Sequence, residues 1–315
     1  MSMAGSGTVT ELEPGGDNAI AVTLGILGDE WNLWILRYAL QGDRRYRDWI
    51  ERGEISNAVL TARLARLTDA ELLERVQYQE RPARHEYRLT ARGHGVWPVL
   101  LTMWAWEQQW APDHRGQLPA RRHAVCGARF TPVLVCGHCD RPAGAPDVDA
   151  QLGPSGQWPR SVPAATGRRR SGRARAPEIL PHTMELLGDR WSAALLGAAF
   201  LGATRYGQFA ERMGAPPTVV ADRLRRFTEL GVLQELPNPD RPAWVTYHLT
   251  DKGRAFFPVV ACMIDWGLRW FRAPEGPAIV LRHRLCGHTF APALTCSHCR
   301  ERLRASTVSI EPTGG

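Results

Sequence analysis

Residues 27–31, LGDEW, return as LGDRW at residues 187–191, and this offset of 160 positions holds without a gap along most of the chain. Arg45 and Tyr46 fall on Arg205 and Tyr206, Arg63 and Leu64 on Arg223 and Leu224, and Arg81 and Pro82 on Arg241 and Pro242. Further on, Tyr87, Leu89, Thr90 and Gly93 meet Tyr247, Leu249, Thr250 and Gly253. His123, Cys126, Cys136 and Cys139 meet His283, Cys286, Cys296 and Cys299. Chance does not keep one register over such a span. The 315 residues are therefore a tandem duplication, and each copy is long enough to bury its own core.

Within the first copy, residues 19–40 show helical spacing broken at Gly28, which implies two helices with Trp31, Trp34 and Ile35 on a buried face. RRYRDWIER reads as a short helix. Ser56 then makes an N-cap for SNAVLTARLARLTDAELL (56–73), where Leu60, Leu64 and Leu67 follow the i, i+4, i+7 rule and face inward. Two extended runs flank QERPAR, which gives a hairpin with a basic tip. A last helix near residues 94–110 carries Trp97, Trp104, Trp106 and Trp110. Copy two repeats the order, with APPTVVADRLRRFTELGVL (215–233) as its third helix and LPNPDRPAWVTYHLT as its hairpin.

Three helices, a hairpin and a closing helix are the order of a winged helix-turn-helix domain, in which the third helix offers one face to the major groove while the hairpin touches adjacent backbone. Through LGDEW, RRYRDW, SNAVLTARLARL, the ERPARHEYRLT wing and Gly93, each copy resembles the HxlR-type winged helix-turn-helix family of bacterial transcriptional regulators. In copy two the matching stretches are LGDRW, TRYGQF, PTVVADRLRRF, DRPAWVTYHLT and Gly253. The resemblance implies double-stranded DNA as partner. It also implies that one chain joins covalently the two halves that a homodimer would supply. Oxidant-sensing members carry a cysteine about thirteen residues before the tryptophan of the second helix. Asn18 and Glu178 stand there, so that redox mechanism is not expected.

The expected DNA contacts are Ser56, Asn57, Thr61, Arg63 and Arg66 on the first third helix and Arg81 and Arg84 on its wing. In copy two they are Thr218, Arg223, Arg225, Arg226 and Arg241. Copy one also turns Ala58, Ala62 and Ala65 outward, whereas copy two has Asp222 on that face. The two helices therefore cannot read the same half-site, and an asymmetric operator is expected. The alternative is a ligand-sensing or protein-interaction module whose recognition helices are degenerate and bind DNA only weakly.

Six of the seven cysteines form two identical sets, each a cysteine, nine residues and a CxxC, with a histidine three before the first cysteine. Three thiolates and an imidazole close a tetrahedral zinc site with no open position, so two structural ions are expected, one per copy. The ligands are His123, Cys126, Cys136 and Cys139, then His283, Cys286, Cys296 and Cys299. His138 and His298, inside CGHC and CSHC, are the alternative fourth ligands. Cys262 lies on an apolar helix and is expected in the core. The tryptophans of the second and last helices are expected to pack the two copies together, and an aromatic-lined cavity there would admit a small apolar or aromatic effector.

The chain is thus expected to be mainly α with small β-hairpins, two tandem winged helix-turn-helix domains forming a pseudo-dimer, each with a zinc-knuckle module. The expected segments are a tail (1–16), domain one (17–115), a zinc module (116–140), a Pro/Gly/Arg-rich linker without helix or strand (141–177), domain two (178–275), a second zinc module (276–304) and a tail (305–315). The formal charge of +7 is concentrated in the linker, which holds +5, ending in GRRRSGRAR. Lys252 is the only lysine, so nearly all positive charge is guanidinium. No apolar run approaches the roughly 18 residues of a membrane span, and the N-terminus does not read as a secretory signal, which places the protein in the cytoplasm. Paired carboxylates, a nucleophile with its base and a phosphate loop are all missing from recognisable settings, so no enzyme is expected. Further homodimerisation of the single chain is left open.

Overall fold

The computed structural model describes residues 7–53, 55–163, 180–238 and 244–311. A two-residue strand β1 (Thr10–Glu11) leads to helices α1 (Ala19–Leu27) and α2 (Glu30–Gln41). Both starts are capped as their sequences dictate: the side-chain Oδ1 of Asn18 accepts from the amides of Ile20 and Ala21, and Asp29 Oδ1 accepts from the amide of Asn32. Helices α3 (Tyr46–Arg52) and α4 (Asn57–Asp69) follow, and Leu60, Leu64 and Leu67 of α4 are all fully buried, as the spacing requires. Strands β2 (Leu73–Gln79) and β3 (Arg84–Leu89) form the antiparallel wing, closed at its base by Leu73 opposite Leu89. The short α5 (Ala91–His94) begins the return, and α6 (Trp97–Trp110) closes the domain. Gly93 is obligatory here, since a Cβ would stand 2.1 Å from the Leu72 carbonyl oxygen, and Gly253 meets Val232 in the same way at 2.3 Å.

Beyond α6 come β4 (Arg121–His123), β5 (Pro132–Cys136), β6 (Val148–Leu152) and α7 (Trp158–Ser161). The second copy then repeats the plan. Its helices are α8 (Pro181–Leu187), α9 (Arg190–Phe200), α10 (Tyr206–Met213) and α11 (Pro217–Glu229). The wing is β7 (Leu233–Pro237) with β8 (Val245–Leu249), followed by α12 (Asp251–Arg254) and α13 (Phe257–Trp270). Strands β9 (Phe271–Arg272), β10 (Ile279–His283), β11 (Pro292–Cys296) and β12 (Val308–Ile310) end the chain.

Three expectations are corrected. The 141–177 segment is not a bare linker, because β6 pairs antiparallel with β10, from Val148 opposite His283 to Leu152 opposite Ile279. Asn18 also anchors it, donating through Nδ2 to the Ser155 carbonyl and the Ser161 hydroxyl, both at 2.7 Å. Both expected tails contribute strands: β1 pairs in parallel with β9, and β12 pairs with β4. The arginine run at residues 168–175 lies outside the described residues.

These pairings obey a two-fold relation. Leu134 lies opposite its own repeat equivalent, Leu294, in the β5·β11 pair, and the β6·β10 and β12·β4 pairs are images of each other. Such an isologous arrangement is what a symmetric dimer interface requires. The last helices, α6 and α13, pack together, and two indoles tie each copy to the other's backbone. Trp106 Nε1 donates to the Lys252 carbonyl at 3.1 Å, and its equivalent Trp266 donates to the Arg92 carbonyl at 3.0 Å.

The symmetry breaks where a helix of one copy crosses the last helix of the other. On one side Gly267 lets α13 approach α1 so closely that a Cβ would lie 2.2 Å from Thr23 Oγ1. On the other, the equivalent position is Glu107, fully buried. Its carboxylate accepts from the His182 and Thr183 amides, each at 3.0 Å, and from the Thr183 hydroxyl at 2.7 Å. It thereby caps α8, whose preceding residue Leu180 supplies no capping side chain.

Candidate metal centres and nucleic-acid face

The HxxC turn of each copy follows its first module strand, and the CxxC turn follows its second. Because β5 and β11 run antiparallel across the two-fold, each CxxC is carried away from its own HxxC and onto that of the other copy. His123 and Cys126 therefore meet Cys296 and Cys299, while His283 and Cys286 meet Cys136 and Cys139, the ligand atoms of each group lying within 4.8 Å of one another. The expectation that each copy closes its own site is corrected. The ligand types and their spacing hold, but they are satisfied by an exchange of knuckles between copies.

The geometry suits a tetrahedral ion. Metal–sulfur bonds of about 2.3 Å at tetrahedral angles put two sulfurs roughly 3.8 Å apart. Cys126 and Cys296 are 3.9 Å apart, and Cys136 and Cys286 are 3.8 Å apart. In both groups it is Nδ1 of the histidine that faces the thiols, at 3.5 Å from Cys126 and 3.3 Å from Cys299 in one, and at 3.3 Å from Cys286 and 3.4 Å from Cys139 in the other. Two Cys3His clusters that could hold metal ions are thus present. His138 and His298 stand outside them: the His138 ring stacks on His288 at 5.0 Å, and His298 contributes only its amide, to Cys296 Sγ. The backbone amide of Ala128 lowers the Cys126 thiol below its ordinary range. Burial pushes Cys136 up, but the amides of His138 and Cys139 outweigh it and the thiol is lowered overall. These two are favoured toward the thiolate that a metal ligand must be, whereas Cys139 and Cys299, despite the amides of Arg141 and Glu301, are raised by burial and by the neighbouring thiols. Cys262 is buried in α13, and burial pushes its thiol up to about 12.

The expected DNA contacts divide sharply. Ser56 caps α4 through Val59, and Asn57 and Thr61 lie exposed around the Tyr46 hydroxyl. Arg63 is turned inward. It grips Asp29 with Nε at 3.0 Å and a second nitrogen at 2.8 Å, pinning α4 to the N-terminus of α2. Arg66 reaches the Gly25 carbonyl at 2.5 Å. Their equivalents behave alike: Arg223 pairs with Asp189 and Asp222, and Arg226 with Glu185 and Glu229. Arg225 is exposed but held between Asp222 and Glu229. Thr218 is exposed, and Arg241 lies outside the described residues.

On the first wing Arg81 and Arg84 are exposed. Sequence reading missed their neighbours Arg44, Arg45 and Arg47 at the start of α3 and Arg75 on β2, all exposed. Arg45 stacks on Tyr78 at 5.0 Å, which joins α3 to the wing. The signal was in the quoted RRYRDWIER, where the arginines were read only as helix. In copy two the positions of Arg44, Arg47, Arg75 and Arg84 hold Thr204, Gly207, Glu235 and Trp244.

Among the described residues no single helix is long and apolar enough to cross a membrane, and the one pair that passes together, α1 with α2, bends by 77°. The HxlR-like helix-turn-helix family matches residues 26–115 and, separately, residues 186–275. The chain is 38% identical over 138 residues to MT3179 of Mycobacterium tuberculosis, described as an uncharacterized HTH-type transcriptional regulator; the match spans 44% of this chain and 87% of that one. It is 33% identical over 85 residues to the HTH-type transcriptional regulator YodB of Bacillus subtilis, spanning 27% of this chain and 76% of that one. A crystal structure of PA1607 shares 32% identity, covers 44% of this chain and 96% of its own, and has a TM-score of 0.38.

Proposed function

Because the chain belongs to the HxlR-like helix-turn-helix family, we propose that it is a sequence-specific DNA-binding transcriptional regulator working as a single-chain pseudo-dimer on an asymmetric operator. The observation that carries this reading is the pairing of a two-fold strand register with two unequal reading faces. Copy one offers the α4 face of Asn57 and Thr61, flanked by Arg44, Arg45, Arg47, Arg75, Arg81 and Arg84. Guanidiniums in such a ring neutralise phosphates and release counterions, which fixes the position of the helix without reading bases. Among the described residues copy two carries fewer exposed guanidiniums on this face, and the carboxylates of Asp222 and Glu229 already hold Arg225. Its contribution is the narrower one of hydroxyl contacts at base edges from the exposed Thr218.

The two Cys3His clusters are read as structural zinc sites, since three thiolates and an imidazole leave no position open for substrate. Each ion joins the copies, so the metal fixes the spacing of the two readers. Arg63 and Arg223 drop out of the proposed reading set and become positioning residues.

Selection of bound fragments from the source organism's genomic DNA, followed by titration of the enriched fragments against salt, tests the reading. Enrichment of a few fragments with Kd near ~10⁻⁸ M and a steep fall of log K with log salt is expected. Weak binding without preference would overturn it. That outcome would favour an interaction module, for which the exposed Trp244, Leu236 and Val245 on the second wing are the one supporting observation.

A further inference from the structure

The 160-residue repeat relates two crevices whose contents are opposite. In one, Leu33, Arg37, Trp104 and Arg121 of copy one face Leu180 and Met184 of copy two, and about 30 Å³ stays open. Arg121 lies over the Trp104 ring at 4.9 Å and plugs the space. In the other, the positions of those four side chains are Ala193, Gly197, Ile264 and Leu281, facing Ile20 and Leu24, and about 140 Å³ stays open. Two guanidiniums, an indole and a leucine have been exchanged for a hydrogen, a methyl group and two branched aliphatic chains. A Cβ built on Gly197 would meet only the Trp158 ring, at 3.8 Å. Trp158, on the connecting segment between the copies, supplies part of this wall.

The walls are apolar. Thr23 and Ser161 bring hydroxyls to the lining, but both donate within their own helices, Thr23 to the Ala19 carbonyl and Ser161 to the Gln157 carbonyl. Ser161 also receives the Asn18 amide. Among the described residues no charged side chain lines the space. A site of this kind discriminates against ions and against ligands that need several hydrogen bonds, because it offers nothing to replace their hydration. An engineered apolar cavity of about 150 Å³ stays dry and takes up benzene, which sets the size class.

We propose that this crevice binds one small, neutral, apolar molecule per chain, of about the size of a single aromatic ring. Its walls come from α1 and the β6–α7 segment on one side and from α9, α13 and β10 on the other. Occupancy therefore bears on the relative placement of the two copies. The plugged crevice takes no such ligand, so the stoichiometry is one and not two.

The test uses the full chain with toluene as the probe, and reads binding directly, so that its outcome is independent of whether DNA is recognised. Equilibrium partitioning with headspace analysis is expected to give one toluene per chain, and toluene-saturated buffer is expected to raise Tm. The double variant Ala193→Leu/Ile264→Trp, which brings the bulk of Leu33 and Trp104 from the plugged side into the open one, is expected to bind at least tenfold more weakly. No saturable binding to the unaltered chain, or equal binding by the filled variant, overturns the proposal. Should the filled variant fail to fold, crystals of the unaltered chain under xenon pressure decide it: a xenon atom between Gly197 and Ile264 is expected, and none there overturns the assignment.

Discussion

Exchange of the cysteine knuckles makes a prediction that two double variants decide. Cys126→Ser/Cys296→Ser removes two ligands from one cluster and leaves the other whole, whereas Cys126→Ser/Cys136→Ser takes one thiolate from each. The expected metal content, measured by native mass spectrometry against a competing chelator, is two zinc ions for the unaltered chain, one for the first variant and none held tightly by the second. Sites closed within each copy would give the reverse, one ion for Cys126→Ser/Cys136→Ser and none for Cys126→Ser/Cys296→Ser, and that result would refute the exchange. The energetic consequence also differs. A bridge from Cys126 to Cys296 closes a loop of about 170 residues, and loop-closure entropy makes such a link worth roughly 5 kcal/mol, against about 3 kcal/mol for the short loop from Cys126 to Cys136. Chelation is therefore expected to loosen the joining of the two copies and not merely the 116–140 and 276–304 segments. Hydrogen exchange should show the loss at Val133–Val135 and at their partners Ala293–Thr295, on the two-fold, as strongly as at the cysteines themselves.

Glu107→Ala leaves two helix-end amides and a hydroxyl unsatisfied in a buried site, and should cost about 3 kcal/mol in urea unfolding. A change below about 0.5 kcal/mol would show that the cap does not matter. Arg63→Ala should cost about 2 kcal/mol of stability by abandoning Asp29, whose side chain is only 9% exposed, while Arg81→Ala/Arg84→Ala should leave stability unchanged and reduce the slope of log K against log salt by about 2. Equal loss of salt slope from Arg63→Ala would return it to the DNA face. Burial lowers Arg121 from 12.5 to about 10, a cost of roughly 3 kcal/mol, against about 1 kcal/mol from its stacking on Trp104. Arg121→Leu, which copies Leu281, is thus expected to raise stability by about 2 kcal/mol at pH 7. The sign follows from a cation whose folded pKa lies below its unfolded one: the penalty is full below about pH 10 and is relieved as the group deprotonates above it. A fall in stability in that variant would sink the argument.

Much of this was legible in the sequence because it is local. The third helices follow from Leu60, Leu64 and Leu67 and from Val220, Leu224 and Phe227, and the wings from alternating runs with Gly93 and Gly253 at their returns. Ligand types and spacings were legible for the same reason. What the spacing could not say is which copy supplies which half of a site, because CxxC is nine residues from its own cysteine in either arrangement. That choice is made by β5 and β11, which pair antiparallel across the two-fold with Leu134, Val135 and Leu294 buried between the copies' other elements. A weaker signal was available: Ala145 and Val148 fall on Ala305 and Val308 in the same register, so the repeat runs on into the stretch that read as linker. The inward turn of Arg63 was not legible at all. It depends on Asp29, which the sequence presents as part of a family signature and the structure as both a helix cap and the counter-ion of α4.

Covalent joining of the copies also changes what each position is free to do. In a homodimer every substitution appears twice, so a carboxylate at position 107 would stand at both crossings, and a glycine would thin both. Here Glu107 caps one crossing while Gly267 tightens the other. Arg37 and Arg121 plug one crevice while Gly197 and Leu281 open its image. Exposed arginines stand at the start of α3 and on the wing of copy one, while Thr204, Gly207, Glu235 and Trp244 replace four of them in copy two. All three asymmetries are incompatible with one sequence used twice, and all three leave the strand register between the copies intact. Duplication thus preserved the frame that spaces the two readers and released the readers, the crevices and the crossings to diverge. The proposed asymmetric reading then makes a last prediction: reversing one half-site of a selected operator while leaving the other in place should abolish tight binding even though every base it contains is still present, and unchanged affinity would overturn it.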